Sequence, residues 1–336
     1  MTKRKSAPLL AATAAMFLMG GALLRGQEPV KVARTGDTIS VEIGGAPFTT
    51  YHFGPESPKP YLSPLRSAQG TIVTRGWPMV TDIPGEDHDH PHQRAMYFGH
   101  GDINEIDFWA EKNLTREEQT VNGVFYPSQD LPKGRTVIRR IEEMQGGPHS
   151  GAVRAVFDLV KPMGEAMGEE DQAYTFSGDT NNRIIDCAFT LRANHGPLKI
   201  ADTKEGTFAI RVVHELDAPS GRMVNSNGGE GEKEVWGKKA NWVDYSGKVD
   251  GEEVGIAIFD SPHNFRHPTT WTARGYGLFG VNPFGLSVFF NNPKLDGGYT
   301  IPAGGSLTLQ YRVLIHHGDE KQADVAPAWE RYAAGH

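Results

Sequence analysis

Short runs of alternating apolar and polar residues recur along the chain between clusters of glycine, proline and other turn-forming residues. In the segment 38–43, the apolar side chains Ile39, Val41 and Ile43 fall at every second position. A period of two places successive side chains on opposite faces of a β-strand. We therefore predict mostly antiparallel strands over 38–43, 136–141, 152–157, 183–191, 208–213, 254–259, 286–290 and 307–315.

Helical periodicity is scarce in this sequence. A last short helix is predicted over 323–333, with Pro327 in its first turn, where proline is tolerated. The polar, glycine-rich stretches 164–179 and 225–239 are predicted to be long loops. The predicted fold class is therefore all-β: a large antiparallel β-sandwich with long loops and few short helices.

Composition limits the protein class. The 336 residues include 40 glycines and 22 prolines, which fits a turn-rich β domain, and we predict one domain over 27–336 rather than two. The net charge of −7 comes from interspersed acids and bases without a basic stripe, so nucleic-acid binding is not expected. No glycine-rich phosphate loop precedes a helix, which disfavours a nucleotide cofactor. The single cysteine, Cys187, lies in an apolar run and is expected to be buried in a strand.

The N-terminus is typical of an export signal. Lys3, Arg4 and Lys5 precede an uncharged, mostly apolar stretch over 7–24. We predict a signal peptide over 1–26, a periplasmic or secreted protein, and no stable membrane span after cleavage. An uncleaved membrane anchor is the alternative, because the stretch is near the minimum length for spanning a bilayer and lacks a clear small-x-small cleavage site.

The most informative segment is the histidine-rich stretch 85–104. Its histidines, His88, His90, His92 and His100, fall within thirteen residues. If the segment is extended, His88, His90, His92 and Arg94 share one face, and a second extended piece aligns His100 with Asp102 and Asn104. Pro91 removes a backbone donor and predicts a bulge or an edge position in this segment.

Three interpretations of this cluster remain open. In the first, His90 and His92 act as general acid and base near neutral pH, and Arg94 holds an anionic group. In the second, His90, His92 and Asp89 bind a divalent metal, since imidazole and carboxylate are suitable ligands. In the third, these residues only cap loops and make hydrogen bonds.

Several motifs of charged, aromatic and turn-forming residues recur along the chain. They include Lys59-Pro60-Tyr61-Leu62-Ser63-Pro64-Leu65, Thr74-Arg75-Gly76-Trp77-Pro78, Asp89-His90-Pro91-His92-Gln93-Arg94, Phe98-Gly99-His100-Gly101-Asp102-Ile103-Asn104 and Arg266-His267-Pro268-Thr269-Thr270-Trp271. In these motifs the sequence resembles the bacterial family labelled "methane oxygenase PmoA", a domain of unknown function of the DUF6807 type. It departs from the family pattern at Gln93, Ala95 and Glu105, where the family usually has His, Gly and often Gly.

The resemblance implies a galactose-mutarotase-type β-sandwich, in which a sheet face binds sugars and acidic or histidine side chains move protons. Methane oxygenase activity is not expected, because particulate methane oxygenases are integral membrane complexes and this chain has one N-terminal apolar segment. We therefore predict an exported carbohydrate-acting enzyme. The predicted catalytic residues are His90, His92, Arg94 and His100, and the predicted substrate-binding residues are Trp77, Asn104, Trp109, Glu205, Arg266 and His267.

Hydrolysis, elimination and epimerisation of a sugar or glycoside are all compatible with these residues. No cofactor is required for acid–base chemistry of this kind, and a divalent metal is the alternative. Three other classes stay open: a metal-dependent enzyme with a His-x-His site, a non-catalytic glycan-binding protein, and a structural envelope protein.

Overall fold

The computed structural model describes residues 26–111 and 131–335, together with the backbone of 120–121 and 124–125. The predicted signal peptide lies outside the described residues, apart from Gly26. Three short α-helices are present in the described part, α1 (Glu232–Val235), α2 (Leu286–Phe289) and α3 (Val325–Ala334). None of the helices in these residues has the length and apolar character needed to cross a membrane.

Strands dominate the described part of the chain, and every pairing between them is antiparallel. They are β1 (Val30–Thr35), β2 (Thr38–Ile43), β3 (Ala46–His52), β4 (Tyr61–Leu62), β5 (Met96–His100), β6 (Thr120–Val121), β7 (Val124–Phe125), β8 (Arg135–Gln145), β9 (Gly151–Val160), β10 (Ala166–Gly178), β11 (Arg183–Arg192), β12 (Leu198–Ile200), β13 (Gly206–Arg211), β14 (Arg222–Asn225), β15 (Lys239–Ala240), β16 (Trp242–Val249), β17 (Glu252–Asp260), β18 (Thr269–Ala273), β19 (Leu278–Val281), β20 (Tyr299–Ile301) and β21 (Ser306–His317).

Two large sheets form the sandwich. The nine-stranded sheet has the order β1-β2-β3-β4-β5-β13-β19-β18-β15, and the eight-stranded sheet has the order β14-β16-β17-β21-β11-β10-β9-β8. Two strand pairs, β12 with β20 and β6 with β7, lie outside them. The predicted class, an all-β antiparallel sandwich with few short helices, is confirmed.

The core lies between the two large sheets. Along β11, Ile185, Cys187 and Phe189 are buried while the residues between them are partly exposed, as the period of two predicts. The Phe189 ring stacks on Phe98 of β5, in the opposite sheet, at 4.4 Å between centroids. Burying an aromatic side chain of this size stabilises the fold by roughly 1.5–3 kcal/mol.

The opposite, outer face of the nine-stranded sheet carries a second row of side chains. The strand register aligns Tyr61, Tyr97, Ala209, Gly280 and Thr272 on neighbouring strands. Because Phe208 and Phe279, the neighbours of Ala209 and Gly280, point into the core, this row faces outward. The two smallest residues of the row, Ala209 and Gly280, lie between Tyr97 and Thr272. The surface of the sheet is therefore lower at the centre of this row than at its sides.

Two predicted elements were wrong. The apolar run 286–290 forms the single helical turn α2, where both the backbone N–H and the hydroxyl of Ser287 donate to Asp202. A short apolar run does not distinguish a strand from a helix. The predicted loop 164–179 instead contains β10, an interior strand paired with β9 and β11. Its polar residues are buried with partners, as in the ion pair of Asp171 with Arg154.

The predicted C-terminal helix was confirmed. It corresponds to α3, whose Pro327 lies in the first turn. In the other predicted loop, 225–239, only the end of β14, the single turn of α1 and the start of β15 are regular structure.

Candidate functional site

A small cleft, with a cavity volume of about 20 Å³, opens on the outer face of the nine-stranded sheet. Strands β18 and β19 supply Thr272 and Leu278, and the loop that precedes β5 supplies the histidines. The residues that line it are His90, His92, Gln93, Lys204, Glu205, Trp236, Thr272, Arg274, Tyr276 and Leu278.

The two histidines are brought together by a turn and not by a strand. The His90 carbonyl accepts a hydrogen bond from the Gln93 N–H at 2.9 Å, with Pro91 at the second position of the turn, where its fixed φ is favoured. The predicted extended segment, with His88, His90, His92 and Arg94 on one face, is therefore wrong. The His90 and His92 rings still meet, at 5.6 Å between centroids.

The backbone at His90 has a φ of +37°, in a region that non-glycine residues seldom adopt. Such a conformation costs on the order of 1–3 kcal/mol and persists where the surroundings fix it. Here Arg75 fixes it, because its guanidinium donates to the His90 carbonyl at 2.9 Å and to the Asp89 carboxylate at 2.5 Å.

Asp89 orients the His90 ring. Its Oδ2 lies 2.7 Å from His90 Nδ1. Partial burial acts to raise the pKa of Asp89, but the hydrogen bond with His90 and the charges of Arg211 and Arg75 outweigh it, so the pKa lies well below its ordinary value. Because the carboxylate is ionised, Nδ1 carries the proton of a neutral His90, and Nε2 has the free lone pair.

Arg211 connects the sheet to the loop. This buried guanidinium donates to Gln93 Oε1 at 2.5 Å and lies 3.4 Å from Asp89 Oδ1. It also lies over the Tyr276 ring at 4.5 Å, and the same ring stacks on His90 at 5.3 Å between centroids. Gln93, which stands where the family usually has histidine, thus serves as the acceptor for Arg211.

His92 lies at the bottom of the cleft and is almost fully buried. Burial lowers the pKa of His92 well below its ordinary value, and the neighbouring charges of Lys59, His90, Arg75 and Lys204 lower it further. Near neutral pH the ring is therefore uncharged, with one donor and one acceptor nitrogen. Neither nitrogen has a hydrogen-bond partner among the described residues.

Three more buried polar atoms around His92 lack a partner within the described part of the chain. They are Tyr97 Oη, Trp109 Nε1 and Thr272 Oγ1. Tyr97 and Trp109 pack in one cluster with Leu278, which lines the cleft. Buried polar groups in native proteins are nearly always hydrogen-bonded, so a group of unpaired ones beside a cleft marks a place where water or a polar ligand can supply the partners.

A second ionic cluster supports the floor of the cleft. Arg94 donates to both carboxylate oxygens of Glu111, at 2.7 and 2.8 Å, and Lys59 lies 3.5 Å from the same carboxylate. Lys59 also donates to the Trp109 carbonyl at 2.7 Å. Arg94, predicted to be catalytic, is thus held in a bidentate ion pair and is not part of the cleft lining.

Other predicted residues lie at various distances from the cleft. Glu205 lines it and forms an ion pair with Lys204. Trp109 lies beneath it. Trp77 is outside the lining and stacks on the exposed His88 ring at 4.2 Å.

His100 and Asn104 make contacts with the backbone. The buried His100 donates its Nε2–H to the Ala201 carbonyl at 2.8 Å, and burial lowers its pKa to about 4. The Asn104 side chain accepts a hydrogen bond from the Lys199 N–H and donates one to the Pro197 carbonyl. Asn104 has a φ of +52° in a turn, so the predicted second extended piece ends at His100.

Arg266 and His267 lie at another place in the fold. The Arg266 guanidinium donates to the backbone carbonyls of Pro283, Gly297 and Gly298. His267 Nδ1 lies 2.7 Å from the buried Asp260 carboxylate, and its ring stacks on Trp329 of α3. Neither residue lines the cleft.

The predicted metal alternative does not fit the arrangement of its ligands. Both carboxylate oxygens of Asp89 are already used, one by Arg75 and one by His90. The cationic groups of Lys59 and Arg75 near His92 would repel a further cation. Within the described ranges, no three His, Cys, Asp or Glu side chains are grouped so that they could hold a metal ion.

Several residues of the site were not selected from the sequence, notably Arg75, Arg211, Arg274 and Tyr276. The sequence around Arg211 could have identified this residue. Arg211 is a charged residue at the end of a mostly apolar strand, GTFAIR. Burial of a charge requires a partner, so such a residue marks a polar site. Arg274 and Tyr276 stand in the turn between β18 and β19, and no local pattern relates them to His90.

The fold and the cleft define an all-β antiparallel sandwich with a polar site on the outer face of one sheet. The model of the family of unknown function DUF6807 matches residues 38–330. The chain belongs to this family, and its predicted resemblance to that domain of unknown function is confirmed. No curated protein matches the sequence.

Solved structures with similar folds include carbohydrate-related enzymes at low sequence identity. An α-galactosidase from Lactobacillus brevis is 8% identical with a TM-score of 0.37, covering 87% of this chain and 40% of that chain. A galactose mutarotase related enzyme from Lactobacillus acidophilus is 8% identical with a TM-score of 0.31, covering 86% of this chain and 98% of that chain. This chain spans about two fifths of the length of the α-galactosidases it matches. These similarities assign no substrate or activity to it.

Proposed function

We propose that the protein is a carbohydrate-acting enzyme in which His90 transfers a proton to or from a sugar bound in the cleft. The observation that carries the proposal is the group of unpaired buried polar atoms around His92, next to an aspartate-oriented histidine. A saccharide presents many hydroxyl groups, each able to donate and accept, and so matches a site with unpaired donors and acceptors of both kinds.

The flat rings beside the cleft support a sugar ligand. Trp236 and Tyr276 both line it, and such aromatic side chains offer apolar faces with polar edges, suited to the C–H faces of a pyranose ring. Small-molecule sites commonly combine such apolar walls with a few convergent polar groups.

The proposed roles follow from the hydrogen bonds. With Asp89 holding Nδ1–H, His90 Nε2 accepts a proton from a sugar hydroxyl or carbon acid, and Asp89 stabilises the imidazolium that forms. Neutral His92 binds a sugar hydroxyl as donor or acceptor and does not need to change charge. Hydrolysis, elimination and epimerisation all include such a proton transfer. Oxidation of methane forms no part of the proposal.

The experiment is a screen of saccharides for turnover by the purified protein, followed by single substitutions. We expect His90→Ala to lower turnover by about 10²–10⁴-fold, the contribution typical of a general acid–base group, and His92→Ala to weaken binding. His149→Ala, at an exposed histidine in the turn between β8 and β9, is the matched control.

A second outcome would identify a different function for the same cleft. If saccharides bind but no product forms, and His90→Ala binds them as tightly as the wild type, the protein is a non-catalytic glycan-binding protein. The proposal of catalysis would then be wrong.

The proposal includes export to the periplasm or the outside of the cell, supported by the basic and apolar segments at the N-terminus. Mass spectrometry of the protein from the periplasmic fraction should give a mature chain that begins near residue 27. An intact N-terminus in the membrane fraction would instead indicate an uncleaved anchor.

A further inference from the structure

Ion pairs surround the cleft on two sides. Arg75 and Arg211 share the carboxylate of Asp89, and Lys59 and Arg94 share that of Glu111. Further carboxylates lie within range of these cations, namely Glu86, Asp107 and Asp217. A preference of the cleft for charge therefore depends on the groups that line it.

Cationic groups lie near the floor of the cleft. Besides burial, the groups that lower the pKa of His92 include the cations Lys59, Arg75 and Lys204. The Glu205 carboxylate on the cleft wall is in an ion pair with Lys204, which offsets its charge. A ligand with a negative group would therefore be favoured over a neutral one of the same shape.

Arg274 provides a specific place for that negative group. Its Nε lies 3.1 Å from Glu232 Oε1, and its guanidinium is stacked over the rings of Trp236 and Tyr276 at 5.1 and 5.2 Å. Glu232 is itself fixed, because its other oxygen accepts the Gly275 N–H at 2.6 Å. The ion pair and the two rings restrain the guanidinium, although the contact with Glu232 is not a hydrogen bond.

The buried Nε of Arg274 has no hydrogen-bond partner among the residues that the structure describes, although the side chain is mostly buried and lines the cleft. A planar guanidinium donates two parallel hydrogen bonds to a carboxylate, and this bidentate geometry is more specific than the point charge of a lysine. We infer that the cleft takes an acidic saccharide, with a uronate carboxylate bound by Arg274 while sugar hydroxyls reach His92 and Thr272. This inference rests on the proposed carbohydrate site and names its substrate class.

The test compares matched sugars that differ only at C6: glucuronate with glucose, and galacturonate with galactose, as free sugars and as disaccharides. Galactose 6-sulfate tests a sulfate ester in place of the carboxylate. Binding to the full chain is measured by isothermal titration calorimetry at low and high salt. We expect the wild type to bind the uronates about tenfold or more tightly than the neutral sugars, with a preference that falls as salt rises.

Variants assign the preference to one residue. Arg274→Gln should lose the preference for uronates yet bind the neutral sugars as before, and Arg274→Lys should keep part of it. Arg139→Gln, at a half-exposed arginine of β8, is the matched control and should change neither. Thermal unfolding verifies that each variant is folded, and the wild-type comparison does not depend on any variant.

The outcomes separate this inference from the proposed function. Equal binding of neutral sugars and uronates, a preference that survives in Arg274→Gln, or tighter binding of the sulfate ester would each overturn the inference and leave the carbohydrate site in place. If no saccharide binds to the wild type, the proposed carbohydrate site itself is wrong, and the inference falls with it.

Discussion

His90 and Asp89 are adjacent in sequence, yet their side chains form a 2.7 Å hydrogen bond between Nδ1 and Oδ2. Neighbouring residues of an extended strand point to opposite faces, so this contact requires the positive φ of His90. Arg75, buried beneath the loop, binds both the Asp89 carboxylate and the His90 carbonyl and holds this conformation.

The first prediction concerns this pair. Asp89→Asn should lower turnover by about 10²–10⁴-fold, because the amide no longer stabilises a protonated His90 or fixes its tautomer. Initial rates with the first saccharide found to be processed provide the measurement. Asp82→Asn, at an exposed residue of the same loop, should have wild-type rates. Full activity in Asp89→Asn would show that the pair does not act in proton transfer.

The second prediction concerns the pH dependence of stability at His100. Burial lowers the pKa of this ring to about 4 in the folded protein, while the unfolded chain has an ordinary value near 6.5. Between these values the unfolded state binds more protons, so stability falls as the pH is lowered from about 6.5 to 4, by up to about 3 kcal/mol. Urea unfolding of the wild type and of His100→Gln between pH 7 and 4.5 measures the slope.

His100→Gln should be less stable than the wild type at pH 7, because the packing around the ring changes, but its stability should depend less on pH over this range. A slope equal to that of the wild type would show that His100 is not the group that titrates.

A third prediction has the opposite sign. Glu170 is buried in the sandwich core, where Gln172 donates to it at 2.6 Å, and burial raises its pKa to about 8. Between the unfolded value near 4.5 and pH 8 the folded state holds the extra proton, so its contribution to stability falls as the pH rises. Glu170→Gln, a neutral side chain of the same shape, should be more stable than the wild type by about 3 kcal/mol at pH 7.

The difference between Glu170→Gln and the wild type should nearly vanish at pH 4.5 and grow toward pH 8, as measured by chemical unfolding at each pH. Glu143→Gln, at an exposed glutamate of β8, is the control with no such dependence. A pH-independent difference would mean that Glu170 is ionised in the folded protein.

The fourth prediction tests the role of Gln93. Replacing Gln93 by Leu keeps the volume but removes the acceptor of the buried Arg211 guanidinium. Loss of a hydrogen bond to a charged group costs about 1.5–3 kcal/mol, so Gln93→Leu should unfold at lower denaturant concentration than the wild type. Gln69→Leu, at an exposed position, should be nearly neutral. Unchanged stability would show that water or Asp89 replaces the amide.

Most of the sandwich could be predicted from the sequence. The alternation in β2 and β11 is a local property, because each side chain's face depends only on its parity along the strand. The same reasoning failed for β10, whose buried polar residues acquire their partners from neighbouring strands, and for α2, whose geometry is set by contacts with Asp202.

The site could be predicted only in part. His90 and His92 stand out in the sequence, and both line the cleft together with Glu205. Arg266 and His267, which lie in a turn-like motif of the family resemblance and were predicted to bind substrate, instead bond other parts of the fold. Residue type in a motif indicates chemistry but does not specify which motifs meet in space.

The sequence by itself determined the class of fold, strands such as β2 and β11, and the segment that carries the two histidines of the cleft, because these follow from local periodicity and composition. Only the tertiary structure decided that Tyr276 stacks on His90 and that Arg274 joins the same cleft. Antiparallel pairing of β13, β19 and β18 brings these distant residues to one face, and long-range pairing depends on the register of whole strands, which no local pattern encodes.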